Sequence, residues 1–112
     1  MQQSKLFGIV SLSRKAGRLL YGFDSVKEAV QGGEAKLVLL ANDISERTQR
    51  GMERAAGEAT PPTPIMATDL SMEDYARICG KPTGVLAITD KGFAEAAARL
   101  IEAVILGGKE TI

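Results

Sequence analysis

The sequence predicts an α/β fold, a three-layer α/β/α sandwich, and two observations carry this prediction. Segments with helical apolar periodicity alternate with short aliphatic runs, and residues that cap or end helices separate them. Five helices and about four strands follow from this pattern, which is typical of a sheet covered by helices. At 112 residues and 45% apolar content, the chain has the size of one domain with its own core.

The first helix and first strand come from the N-terminal quarter of the chain. One helical face carries apolar or small residues, and Gly17 lies where a glycine commonly ends a helix; that face consists of Leu6, Ile9, Val10 and Ser13. The segment Arg18–Tyr21 is short and predicts a strand. A second helix begins near Phe23–Ser25, with Asp24 or Ser25 as its cap, and ends at Gly32-Gly33.

The middle of the chain repeats the alternation. The continuous apolar run Leu37–Ala41 predicts a strand that is covered on both faces. Asp43 or Ser45 then caps a third helix, which runs to about Ala59 and ends before three closely spaced prolines. The inner face of this helix is only weakly apolar, since it consists of Met52, Ala55, Ala56 and Ala59.

The last third contains two strands and two helices. Thr63–Ala67 is extended, and Ser71 with Asp74 predicts a capping pair for a fourth helix that ends at Gly80. Val85–Thr89 predicts a strand. Asp90 caps a final helix that ends at Gly107-Gly108, with an apolar stripe formed by Phe93, Ala97, Leu100, Ile101 and Val104.

The charges are balanced overall but unevenly placed. Residues 1–50 contain eight basic and five acidic residues, a net charge of +3, and the remainder carries −3. The basic N-terminal half is equally compatible with a polyanionic partner and with a random distribution of charged residues along the chain. The single cysteine indicates a reducing compartment, and neither a signal peptide nor an apolar run long enough to span a membrane is visible. We therefore expect a cytoplasmic protein with no membrane partner.

Residues for catalysis or metal binding are scarce. The sequence has no histidine and one cysteine, which excludes His-dependent nucleophilic pairs within the chain and leaves zinc binding almost without support. No glycine-rich nucleotide loop is present. The acidic residues Asp69, Glu73 and Asp74 lie at a predicted helix start, where the helix dipole favours negative charge. Cys79 is expected to be a small apolar residue of the core. We expect no enzyme activity, catalytic residue, metal, cofactor or small-molecule substrate.

Five segments in one order resemble a known family. They are Ser-Arg-Lys-Ala-Gly (13–17), Gly22 opening a helix, Ala-Lys-Leu-Val-Leu-Leu-Ala-Asn-Asp (35–43), Cys-Gly-Lys-Pro (79–82) and Ala-Ile-Thr-Asp-Lys-Gly-Phe (87–93). This pattern resembles the kink-turn RNA-binding ribosomal protein family of the L7Ae/L30e type, and within it the small bacterial YlxQ-like branch. The resemblance covers about residues 5–105. It implies an α/β/α sandwich around a mixed four-stranded sheet.

The resemblance implies a non-enzymatic protein that binds structured RNA at two places. The first is the start of the second helix, with Gly22, Phe23, Asp24, Ser25 and Glu28; the second is the loop with Gly80, Lys81, Pro82 and Thr83. The helix start would meet guanine edges and the loop an extruded base at a bent or bulged stem. Phosphate contacts are assigned to Arg18, Lys36 and Lys81. Ribosomal RNA is one candidate partner.

Three positions of the first site differ from the family pattern Gly-x-Asn-Glu with a following Lys. Asp24, Ser25 and Glu28 stand at the Asn, Glu and Lys positions. Asp24 cannot donate a hydrogen bond, and Glu28 places a negative charge where a base or phosphate contact is expected. Together with the zero net charge, these residues favour the alternative, a protein-interaction module on the same fold with weak or lost RNA affinity.

Overall fold

We describe the protein from a computed structural model, which defines the secondary structure of residues 2–110 and the side chains of residues 5–101. Five helices alternate with four strands. Their order is α1 Gln2–Lys15, β1 Leu19–Tyr21, α2 Phe23–Gln31, β2 Leu37–Leu40, α3 Glu46–Glu58, β3 Ile65–Ala67, α4 Met72–Cys79, β4 Val85–Ile88 and α5 Lys91–Glu110.

The four strands form one mixed sheet in the order β1-β4-β2-β3. β4 runs antiparallel to both of its neighbours, whereas β2 and β3 are parallel. Leu40, at the end of β2, pairs with Val85 at the start of β4 and with Ala67 at the end of β3. β1, β2 and β3 therefore end at the same edge of the sheet, where β4 begins. The predicted α/β architecture with a mixed four-stranded sheet is confirmed.

Both faces of the sheet are covered by helices, because β2 and β4 are apolar at every position. All eight side chains of these two strands are buried. Leu37 and Leu39 point into a core shared with α1, α4 and α5, and Val38 and Leu40 point into a second core shared with α2 and α3. The sequence interpretation of Leu37–Ala41 as a strand buried on both faces is confirmed.

Most of the predicted helix starts are confirmed, and the start of α2 is corrected. Ser45 caps α3, Ser71 and Asp74 form a capping box on α4, and the Asp90 carboxylate accepts from the N–H of Phe93 at the start of α5. The prediction that Asp24 or Ser25 caps α2 is wrong. Gly22 is the cap residue and has no side chain for the purpose, so Asp24 and Ser25 lie inside the first helical turn.

The end of the last helix also differs from the prediction. α5 continues through Gly107 and Gly108 to Glu110. A glycine lowers helix stability by about 1 kcal/mol relative to alanine, yet it retains both backbone hydrogen-bonding groups. A glycine pair therefore weakens a helix without preventing its continuation. The predicted stripe residue Val104 lies outside the side chains that the structure describes.

Candidate nucleic-acid interface

Four connections meet at the edge where β1, β2 and β3 end and β4 begins. They are the β1–α2 turn at Gly22, the β2–α3 loop at 41–45, the β3–α4 loop at 68–71 and the α4–β4 loop at 80–84. We call this surface the loop edge. The two sites implied by the family resemblance, at the start of α2 and in the loop at 80–84, both belong to it.

Backbone hydrogen bonds tie these connections together. The N–H of Gly22 donates to the carbonyl of Val85 at 3.0 Å, which fixes the start of α2 beside the residue that follows the 80–84 loop. The N–H of Ala41 donates to the carbonyl of Gly84 at 2.9 Å, and the N–H of Asn42 donates to Leu70 at 2.9 Å. The loop edge is therefore held by the sheet and by contacts between its own loops.

Side chains add two further ties across the loop edge. The Asp43 carboxylate accepts from the N–H of Met72 at 2.9 Å, so Asp43 caps α4 and not the helix that follows it in sequence. Ile44 fills the space beside Gly84, where a Cβ atom would lie 2.3 Å from Cγ2 of Ile44. Gly84 is therefore required by close packing between two loops.

The start of α2 presents unused backbone donors. Gly22 has φ 95° and ψ 142°, a conformation that side-chain-bearing residues rarely adopt, and no atom other than those of Gly22 and its chain neighbours lies within 4 Å of a Cβ built there. The chain thus turns sharply from β1 into the helix. In the described part of the chain, the N–H groups of Phe23, Asp24 and Ser25 have no hydrogen-bond acceptor. These donors and the helix dipole favour an anionic or carbonyl acceptor.

The 80–84 loop presents three exposed residues and one buried residue. Gly80, Lys81 and Pro82 are exposed, and Gly80 ends α4 in the left-handed conformation with φ 88°. Thr83 is buried, and its hydroxyl donates to the carbonyl of Lys81 at 2.8 Å. The Thr83 side chain therefore shapes the loop from inside, and the exposed residues are the ones that can contact a ligand.

The predicted site residues do not all share one surface. Arg18 and Lys36 immediately precede β1 and β2, and hydrogen bonds join Thr89 to Arg18 at 2.9 Å and Lys36 to Ile88 at 2.8 Å. These contacts put both residues at the end of β4, opposite the loop edge. Four strand residues separate the two edges by about 13 Å. Arg18 and Lys36 are exposed but lie away from Lys81.

The outer face of α2 carries charges of both signs, with two carboxylates and the ammonium group of Lys27. Asp24 and Glu28 are both exposed, in positions that follow the helix start by one and five residues. Phe23 is half-buried and packs across to Gly51 of α3. The loop edge therefore combines free backbone donors, a partly exposed aromatic ring and two carboxylates on a single helix.

The basic face of α3 was not predicted from the sequence. Arg47, Arg50 and Arg54 line a groove of about 810 Å³ between this helix and Phe23. Their spacing of three and four residues is visible in the sequence and is typical of one helical face. Its significance depends on the packing of α2 against α3, which the spacing alone does not reveal.

The groups with shifted pKa values occupy structural positions. Burial raises the pKa of the Tyr75 phenol, whose oxygen lies 3.0 Å from the Thr68 hydroxyl, and burial also raises the pKa of the Cys79 thiol. Hydrogen bonds from the backbone and hydroxyl of Ser71 lower the pKa of Asp74. Each shift has its cause in the core or in a helix cap.

Across the side chains that the structure describes, no cluster of three or more acidic, cysteine or histidine residues is placed to hold a metal ion. In the same part of the chain, none of the helices has the length and apolar character needed to cross a membrane.

Comparisons with known proteins place the chain among relatives of similar size. RNA-binding protein YlxQ of Enterococcus faecium is 29% identical over 100 residues, which cover 89% of this chain and 94% of that protein. A protein of unknown function from Bacillus halodurans C superposes with a TM-score of 0.78 and 28% identity, covering 88% of this chain and 97% of the other.

A more distant structure has the same fold. The 15.5kD RNA binding protein of Giardia lamblia superposes with a TM-score of 0.72 and 19% identity, covering 94% of this chain and 88% of the other. A family profile matches residues 4–98. The chain therefore belongs to the ribosomal protein L7Ae/L30e/S12e/Gadd45 family.

Proposed function

We propose that this protein is a non-enzymatic RNA-binding protein that recognises a kink-turn or a similarly bent or bulged stem. The observation that carries the proposal is the position of the α2 start beside the 80–84 loop, fixed by the 3.0 Å hydrogen bond from Gly22 to Val85. Both RNA-contacting segments implied by the family resemblance thus lie on one continuous surface. The name of the Enterococcus faecium relative, an RNA-binding protein, supports the same function.

The chemistry of the loop edge suits RNA at a bulge better than a continuous duplex. The deep, narrow major groove of A-form RNA hides its base edges, whereas a bulge exposes them. The free N–H groups of Phe23, Asp24 and Ser25 can donate to phosphate oxygens or to guanine O6 and N7. Lys81 and Pro82, exposed in the neighbouring loop, can contact the phosphate and the face of a displaced base. The proposed setting is the cytoplasm, with ribosomal RNA as one candidate partner.

Binding to a bulged stem and to a fully paired stem of the same composition, measured across salt concentrations, tests the proposal. Lys27 and Lys81 lie on or near the loop edge and can provide about two phosphate contacts. We expect log K to fall by about 0.7–0.9 per contact for each decade of salt, with the bulged stem bound more tightly.

Two exposed lysines provide a matched pair for the same titration. Lys81→Gln removes a charge at the loop edge and should reduce the salt dependence by about one contact, whereas Lys36→Gln at the opposite edge should leave it unchanged. Equal binding of both stems would contradict recognition of a bulge, and absence of binding to either stem at low salt would support the protein-interaction alternative.

We expect Glu28→Lys to tighten binding to a stem with G·A pairs by about tenfold at moderate salt. Glu28 is exposed on α2, and its carboxylate repels phosphate and cannot donate to a guanine. Lysine reverses the charge and supplies a donor, and a good base contact contributes about 1–3 kcal/mol. Fluorescence anisotropy with the bulged and paired stems measures the change.

The control for this substitution is Glu95→Lys, which makes the same charge change at an exposed position on α5. A general electrostatic effect would tighten binding in both variants and to both stems. If Glu28→Lys strengthens binding to the bulged stem no more than Glu95→Lys does, then residue 28 does not face the RNA bases.

A further inference from the structure

A basic groove runs from the loop edge along α3. Its volume is about 810 Å³, within the range of about 300–1,000 Å³ typical of small-ligand sites. The start of α2 forms one wall and the first three turns of α3 form the other; the lining residues are Phe23, Glu46, Arg47, Thr48, Arg50, Gly51 and Arg54. The groove lies beside the free N–H groups at the start of α2.

An aromatic ring forms one side of the groove. The half-buried Phe23 ring packs directly on Gly51, where a Cβ atom would lie 3.2 Å from Cζ of Phe23. Because Gly51 has no side chain, the Phe23 ring can pack against the α3 backbone, and this contact fixes the position of the ring. A fixed, partly exposed ring offers a stacking surface for any nucleobase, because every base has a π face.

The charges of the groove match a phosphate backbone. Its lining contains three arginines and one glutamate, an excess of two positive charges. Glu46 forms an exposed ion pair with Arg50. Arg47 and Arg54 are exposed, and within the described residues neither side chain has an ion pair or a hydrogen bond. They lie about 10 Å apart along one helical face and can contact different phosphates of one strand.

The groove is continuous with the proposed RNA surface. Phe23 directly follows Gly22, and α3 begins immediately after the loop that contains Ile44 and Ser45. A strand that leaves a stem bound at the loop edge can therefore enter the groove without crossing another element. Continuity, an aromatic wall and two unpaired arginines together favour a nucleic-acid strand as its occupant.

We propose that the groove between Phe23 and the Arg47–Arg54 face of α3 binds single-stranded nucleotides that extend from the RNA stem, with a base stacked on Phe23 and phosphates on Arg47 and Arg54. This inference rests on the proposed function, which concerns the stem itself. It adds a second contact to unpaired RNA and predicts a preference for bulged stems whose unpaired segment continues beyond the bend.

The test uses three RNA probes with the intact protein: a short single-stranded oligoribonucleotide, a bulged stem without unpaired ends, and the same stem with a single-stranded extension. Arg47→Gln/Arg54→Gln and Phe23→Leu should each weaken oligonucleotide binding by about tenfold. Each should also remove the gain in affinity that the extension gives. Arg99→Gln, an exposed arginine on α5, is the control and should bind all three probes as the parent does.

The outcomes separate the groove from the stem site. In one outcome, the stem without extension binds, and the groove variants change neither the affinity for the oligonucleotide nor the gain in affinity from the extension. The groove inference is then wrong and the proposed function stands. If that stem does not bind while the oligonucleotide binds through Arg47 and Arg54, the groove inference stands and the proposed function is wrong. Equal losses in Arg99→Gln, or a preference for a poly-glutamate peptide over the oligonucleotide, would overturn the groove inference.

Discussion

Gly84→Ala is expected to destabilise the protein by about 1–3 kcal/mol, which corresponds to a fall in Tm of about 5–15 °C. The added Cβ would lie 2.3 Å from Cγ2 of Ile44, and a branched side chain cannot easily rotate that methyl group away. The carbonyl of Gly84 also accepts from Ala41, so a shift of the loop would disturb the end of β2. Thermal unfolding followed by circular dichroism measures the change.

Two further substitutions, one at Gly57 and one at Ile44, control this result. Gly57 lies inside α3 with nothing within 4 Å of its Cβ position, so Gly57→Ala should leave stability unchanged or raise it by about 0.5–1 kcal/mol. Ile44→Ala removes the methyl group that clashes. The double variant should therefore lose less stability than the sum of the two single variants. Additive losses would show that the close contact of Ile44 with Gly84 is not the cause.

Gly22→Ala is expected to cost both stability and RNA binding. The cost in stability is about 1–3 kcal/mol, because alanine is strained at the backbone conformation of Gly22, although the space for a Cβ is open. Relief of that strain would move the start of α2 away from Val85 and misplace its free N–H groups. The loss of one hydrogen bond to a charged group is worth about 1.5–3 kcal/mol, so RNA affinity should fall by about tenfold or more.

Gly33→Ala provides the matched control for strain alone. Gly33 also has positive φ, 77°, and an open Cβ position, but it lies in the α2–β2 turn, away from the loop edge. Its substitution should lower the melting temperature and leave RNA binding unchanged at a temperature where the protein is folded. If both glycine variants bind RNA as the parent does, Gly22 serves the turn only and the start of α2 does not hold RNA.

The features that could be predicted from sequence are those governed by local pattern. Leu37–Ala41 predicted a strand buried on both faces because no polar residue interrupts it, and the Ser71–Asp74 pair predicted its capping box because both partners lie within one turn. The cap of α2 could not be placed in this way. Asp24 and Ser25 are common cap residues, whereas the helix begins after a glycine whose role depends on its backbone angles.

The features that escaped prediction depend on strand direction and helix packing. Phosphate contacts were assigned to Arg18, Lys36 and Lys81 together, yet two of these residues precede strands and one follows a helix, which puts them at opposite edges of the sheet. The aromatic wall of the groove on α3 depends on the packing of Phe23 from α2 against Gly51. Neither relation is contained in the spacing of residues along the chain.

The central claim is that the loop edge binds structured RNA, and amide chemical-shift mapping with a bulged stem tests it most directly. The largest changes should fall on the amides of 22–25 and on those of Gly80, Lys81, Thr83 and Gly84, with smaller changes in 43–45, where Ile44 packs against Gly84. Arg18 and Lys36, at the opposite edge, should remain unperturbed. Changes centred on those two residues, or no saturable change at the loop edge at low salt, would contradict the account.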